Sequence, residues 1–169
     1  MFSRSLPSQH LYRTFTFKSF STITMTTIDS VQSKLFARPL PPLEPGKTVW
    51  DPALTSQISD LKAHQFVKAA LHLANDDIKR CHDVTEKNQG DPTADVLHAV
   101  LHRREGDYWN SKYWISNVSS HPLFPSTSSA KKFVDSCESV KPGSDEEKRL
   151  RETQWEELKR IVVWTRENC

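Results

Sequence analysis

"AVLHRREGDYWNS" (Ala99–Ser111) decides the fold, because it is the second copy of a pattern. Thirty residues upstream stands "AALHLANDDIKRC" (Ala69–Cys81). Ala69 matches Ala99, Leu71 matches Leu101, His72 matches His102, Asp77 matches Asp107, and small Cys81 falls on small Ser111. Self-similarity at a fixed period signals one supersecondary unit built twice. Each copy reads as a helical hairpin. Its first helix ends at a residue that tolerates a left-handed turn, Asn75 or Gly106. An aspartate then caps the second helix: Asp76 or Asp77 in the first copy, Asp107 in the second. The small residue four positions beyond Asp77 and Asp107 lets the paired helices approach closely.

The flanks agree with a helical reading. "DPALTSQ" places Asp51 at an N-cap and Pro52 at the first helical position, where a missing N–H costs nothing. Asp91 and Pro92 repeat the device. Between them Ile58, Leu61, Phe66, Val67, Ala70, Leu71 and Ala74 recur at helical spacing. They fit one helix from Pro52, or two broken near Ser59–Asp60. "AKKFVDSCESV" predicts a short helix after the Ser/Pro loop "SSHPLFPSTSS". Ser144 opens the last helix, with Glu147 completing a capping box. There Leu150, Gln154, Leu158, Ile161, Val162 and Thr165 share one side, flanked by Trp155, to dock on the hairpins.

The chain divides into three parts. Residues 1–24 carry Arg4, Arg13 and Lys18, many Ser, Thr and Phe, and no acid. This fits a mitochondrial transit peptide, or equally a disordered extension ahead of a second start at Met25. Residues 25–50 contain "ARPLPPLEPGKTVW", whose prolines disfavour helix and central strand. They read as an extended, partly polyproline-like arm with Leu40, Leu43 and Trp50 along the domain surface. Residues 51–169 form a single helical domain.

Composition narrows the classes. Only 4 of 169 residues are glycine, which argues against a turn-rich all-β fold. A net charge of +2 speaks for neither nucleic acid nor membrane as partner. Three scattered cysteines, Cys81, Cys137 and Cys169, form no disulfide framework and read as reduced thiols of a mitochondrial or cytoplasmic protein. No apolar run approaches the roughly 18 residues needed to span a bilayer, so a soluble chain is expected.

"EGDYWNSKYW" (Glu105–Trp114) resembles the joint of a tetratricopeptide-type repeat, in which "GDY" opens the second helix and a small residue follows. The resemblance covers roughly residues 60–118 and two units, without most other signature positions. It implies stacked helical hairpins and a binding or scaffold role. "HAVLHRREGDYWNSKYW" is also similar to a run in a group of small uncharacterised fungal and bacterial proteins, which implies no particular mechanism.

On a helix 92–105, Asp95, His98, His102 and Glu105 fall in one sector about 80° wide, with Leu97, Val100 and Leu101 opposite. Two histidines at i, i+4 can hold a divalent metal, with Glu105 or a distant carboxylate as third ligand and His82 or His121 joining from elsewhere. The same His98, His102 and Glu105 are the candidate proton carriers of an enzyme. The H-E-x-x-H pattern is absent, because Ala99 stands at its glutamate position. Without a metal, Arg103, Arg104 and Lys112 can clamp a small carboxylate or phosphate, beside Asp107. Tyr108, Trp109, Tyr113 and Trp114 can wall that pocket. The plainer account makes the aromatics hairpin packing, pairs Arg103 or Arg104 with Glu105 or Asp107, and leaves the polar face to solvent.

The fold expected is all-α: two tandem antiparallel hairpins plus an amphipathic C-terminal helix. The function expected is a helical binding or scaffold protein with a protein partner. The alternative is a small enzyme or ligand-binding protein using the His/Arg/Glu cluster. Geometry discriminates: convergence of His98, His102 and Glu105 with His82 or His121 favours the alternative.

Overall fold

The two Asp–Pro pairs start helices as their chemistry dictates. Asp51 accepts from the amide of Ala53 and opens α2 (Pro52–Ser59), while Asp91 accepts from Thr93 and Ala94 and opens α5 (Pro92–Glu105). The computed structural model describes residues 26–118, 120–124 and 126–169. The expected transit peptide, residues 1–24, lies outside them. Among the described residues there are eight α-helices and no strand, so the fold is all-α. No described helix is long and apolar enough to cross a membrane.

The remaining helices are α1 (Ile28–Phe36), α3 (Gln65–Ala74), α4 (Ile78–Thr85), α6 (Tyr108–Asn117), α7 (Thr127–Ser139) and α8 (Asp145–Asn168). The chain breaks between α2 and α3, so Pro52–Ala74 is two helices. α3 packs on α4 and α5 on α6, forming the two hairpins, and α8 lies against α3. The buried set of α8 is Leu150, Gln154, Trp155, Leu158, Ile161, Val162 and Thr165, the face drawn from its periodicity. Ser144 caps the amide of Glu147. The return bond of the expected box goes instead from Gly143 N–H to Glu147.

The arm reading of residues 25–50 needs correction. Thr27 and Ser30 form a capping box, and Val31 and Leu35 of α1 are buried in the main core. Helix therefore precedes the prolines, and the domain begins before residue 51. From Ala37 onward the chain runs over the hairpins without helix. Its carbonyls find side-chain donors on α8: Arg151 donates to Leu40 and Pro41 oxygens (2.8 and 2.9 Å), and Gln154 donates to Leu43 oxygen (3.0 Å). Prolines lack an N–H, so this stretch offers its carbonyls for pairing.

α5 is the axis of the molecule. Twelve consecutive residues, Thr93 to Arg104, are buried. The sector of Asp95, His98 and His102 therefore does not face solvent, contrary to the plainer reading. It faces α4 and the loop before α5.

Candidate metal centre

Both hairpin turns put one residue in the left-handed region: Asp76 (φ +59°) and Gly106 (φ +77°). Asn75, the expected left-handed residue of the first turn, has φ −91°. The thirty-residue offset itself maps Gly106 onto Asp76. Glycine suits this position without strain, and a Cβ there would sit 3.0 Å from a Glu44 side-chain oxygen, which would have to shift. Asp107 caps α6 by accepting from Asn110 N–H. In the first hairpin neither aspartate side chain caps α4. Cys81 and Ser111 are fully buried at the joints, and Ser111 Oγ donates to Ala99 oxygen at 2.7 Å.

The expected anion clamp does not assemble. Arg104 is wholly buried and pairs with Asp76, which Arg38 also grips, both at 2.5 Å. Burial pushes the Arg104 guanidinium down to about 10, against the pull of Asp76, so it stays charged. Arg103 binds Gln154 and Glu157 on α8 and lies over the Phe133 ring. Lys112 reaches Asp135 and Glu138 on α7. The three cations thus point to three different elements. Neither arginine pairs with Glu105 or Asp107. Trp109 and Tyr113 are 73% and 50% exposed and stack on each other in solvent, so they wall no pocket. Trp114 is the aromatic that turns inward.

What does assemble is histidine. His82 comes off α4 and meets His98 and His102 of α5, with ligand atoms of all three within 4.8 Å of one another. The His98 ring is sandwiched between Trp114 (3.9 Å, 15°) and His102 (4.9 Å, 17°). Burial, then the neighbouring His102 and His82, hold His98 down to about 3, so it is neutral near pH 7. Its Nδ1 is buried without a partner. His102 Nδ1 lies 3.1 Å from Glu105, and His82 Nδ1 lies 3.6 Å from Glu86. Neither carboxylate hydrogen-bonds its ring: His102 Nδ1 is buried without a partner, and 3.6 Å is too long at His82. Glu105 lies beside His102 and is not one of the three grouped donors. Asp107 lies farther off, 3.9 Å from His102.

Two sequence candidates stand apart. Asp95 accepts from Gly90 N–H, and burial raises its carboxyl above the usual range. His121 packs on Trp164 of α8, and its Nδ1 accepts from Leu123 N–H. Neither contributes to the histidine group.

A serine and a histidine far apart in sequence also meet in the fold. Folding brings Ser59 Oγ within 3.3 Å of His72 Nε2, while His72 Nδ1 lies 3.2 Å from Asp77. This array resembles a nucleophile–base–acid chain, but its chemistry is structural. Ser59 Oγ is donated to Thr55 oxygen at 2.9 Å, and His72 Nδ1 is off the line of a good bond to Asp77. Neither Ser59 nor His72 lines the 580 Å³ cleft that runs beside Asp76, Asp77 and His82.

No family model, curated protein or solved structure matches the chain.

Proposed function

We propose that the protein binds one divalent transition-metal ion of the zinc type through His82, His98 and His102. The convergence of three imidazoles from two helices carries this reading. Tetrahedral zinc with Zn–N bonds near 2.0–2.1 Å wants nitrogens roughly 3.4 Å apart. The three rings need to close by little more than an ångström. Buried polar groups without partners are costly, and His98 holds one. A metal fits this donor set because neutral imidazole is a ligand and ring nitrogens of both His98 and His102 are buried without partners. Trp114 provides the test. Copper(II) at the site would lie beside the indole stacked on His98, so tryptophan fluorescence falls and saturates at one equivalent. Trp114→Phe reduces the quench without reducing copper uptake. Fluorescence with no saturable change contradicts the reading.

One observation favours a second reading, the helical binding or scaffold protein suggested by tetratricopeptide-like hairpins. Trp109 and Tyr113 leave a stacked, exposed aromatic pair, ring centroids 6.0 Å apart. A photo-crosslinking side chain at position 109 that joins no protein inside cells contradicts that role. Mitochondrial residence is supported by the basic, acid-free segment 1–24, and a fluorescent fusion that stays diffuse contradicts it.

A further inference from the structure

We infer that the ion of His82, His98 and His102 keeps a coordination position open toward the cleft beside Glu105, where it activates water to hydrolyse small, negatively charged carboxylic esters. This rests on the metal reading above and states what the ion does.

The ligand set comes first. Among the described residues the group has three donors, all histidine. Structural zinc sites are closed by four protein ligands, whereas three leave a place for water. Glu105 lies 3.1 Å from His102 Nδ1, beside the group and outside its three donors.

Access comes next. His98 and His102 are buried, while the His82 side chain is 33% exposed. His82 and Glu105 together line the cleft, whose other walls include Lys47, Val49 and Ile78. Of the three donors His82 alone lines the cleft, so its edge is the side of the group nearest to water and solutes. A volume of about 580 Å³ suits a small molecule.

Charge then selects the substrate. Asp76 in the cleft is held by Arg38 and Arg104, Asp77 by Arg80, and Asp83 by Lys79. Among the described residues Lys47 has no ion-pair partner. Three neutral imidazoles leave the charge of the ion uncompensated. Glu105, the remaining carboxylate of the cleft, has no Lys or Arg partner among the described residues and Lys47 offsets it, so the occupied cleft is positive at the metal and apolar at Val49 and Ile78. An acyl group ending in a carboxylate matches it.

The reaction balances without a further co-reactant. The ion lowers the pKa of its bound water, and the proton leaves to solvent through the cleft. The metal-bound hydroxide attacks the carbonyl carbon. The bond to the leaving alkoxide oxygen breaks, and the alkoxide takes the proton of the newly formed carboxylic acid, leaving carboxylate and alcohol. Ester and water become carboxylate, alcohol and one released proton.

Two measurements on the full chain test this. Cobalt(II) is loaded as a coloured stand-in for zinc, and its visible spectrum is followed as azide is added. The zinc-loaded protein is then assayed with mono-4-nitrophenyl succinate and with 4-nitrophenyl acetate, against the metal-free protein. The expected results are a saturable azide shift and metal-dependent hydrolysis favouring the succinate ester by about two- to fivefold, the size of one exposed ion pair. Lys47→Gln brings the ratio of the two esters toward one. Glu105→Gln moves the rising limb of the pH–rate profile to lower pH, because removing a negative charge near the ion favours bound hydroxide. A cobalt spectrum that ignores azide overturns the open position. An azide-responsive site with no metal-dependent hydrolysis overturns the activity. Failure of cobalt to bind at all instead removes the metal reading, and this inference with it.

Discussion

Residues 72–77 and 102–107 make the same turn thirty residues apart. Asp77 N–H donates to His72 oxygen and Asp107 N–H to His102 oxygen, each at 2.9 Å. The side chains then diverge. In the first hairpin the polar groups of the turn are drawn into the frame. Asp76 is clasped by two arginines, Asn75 exchanges bonds with Asp51, and His72 lies between Ser59 and Asp77. In the second hairpin the equivalent of Asp76 is a glycine, so nothing there needs an arginine. The ring of His102 has a carboxylate behind it and two histidines in front. One turn geometry thus supports an internal tie in one copy and an uncommitted ligand group in the other.

The comparison breaks most severely at Asp76. Asp76→Asn keeps the shape and is at ease in the left-handed region, so any loss is electrostatic. It leaves Arg38 and Arg104 buried without a counter-charge. Stability should fall by about 3–5 kcal/mol, read from the urea midpoint. A change under about 1 kcal/mol would show that the first hairpin is not tied by this triad.

Acid probes the same hairpin less severely. Burial, against the opposing pull of Asp77, pushes His72 down to about 4. The folded protein refuses a proton that the unfolded chain accepts below about 6.5. The stabilisation is therefore whole above pH 6.5, declines as pH falls toward 4, and then levels off. The loss is on the order of 3 kcal/mol. Denaturant midpoints at pH 7.5 and 4.5 should show this slope in the wild type and a smaller one in His72→Gln. Equal slopes would move the titration elsewhere.

The smallest effect concerns what both hairpins share. Ser111→Leu crowds the α5–α6 joint and should cost about 1–3 kcal/mol. Cys81→Leu should do the same at α3–α4. Thermal melts that distinguish the two sites sharply would mean that the repeat is one of sequence and not of packing.

Much of this fold is legible because its signals are local. Asp51–Pro52, Asp91–Pro92, Ser144 and the spacing of Leu150 to Thr165 each act within a few residues of where they are written. α1 is obscured by the prolines that follow it, although Thr27, Ser30, Val31 and Leu35 carry a cap and an apolar stripe. α5 misleads for a different reason. Its arginines and histidines look like a wet face, but α4 and α8 supply their partners. That pairing is tertiary, as is the arrival of His82, sixteen residues before His98 and on another helix. His98 and His102 at i, i+4 are visible, whereas the sequence offers Glu105 or a distant carboxylate as third donor and His82 or His121 only as additions.

The central claim is that the second hairpin, with His82, holds a metal. Isothermal calorimetry of zinc into the metal-free full chain at pH 7.5 tests it most directly, alongside His82→Ala, whose partly exposed side chain can be removed without opening the core. The account predicts one zinc per chain in the wild type and no stoichiometric binding in the variant, with both proteins folded by circular dichroism. No stoichiometric heat in the wild type, or undiminished binding after His82→Ala, would contradict it.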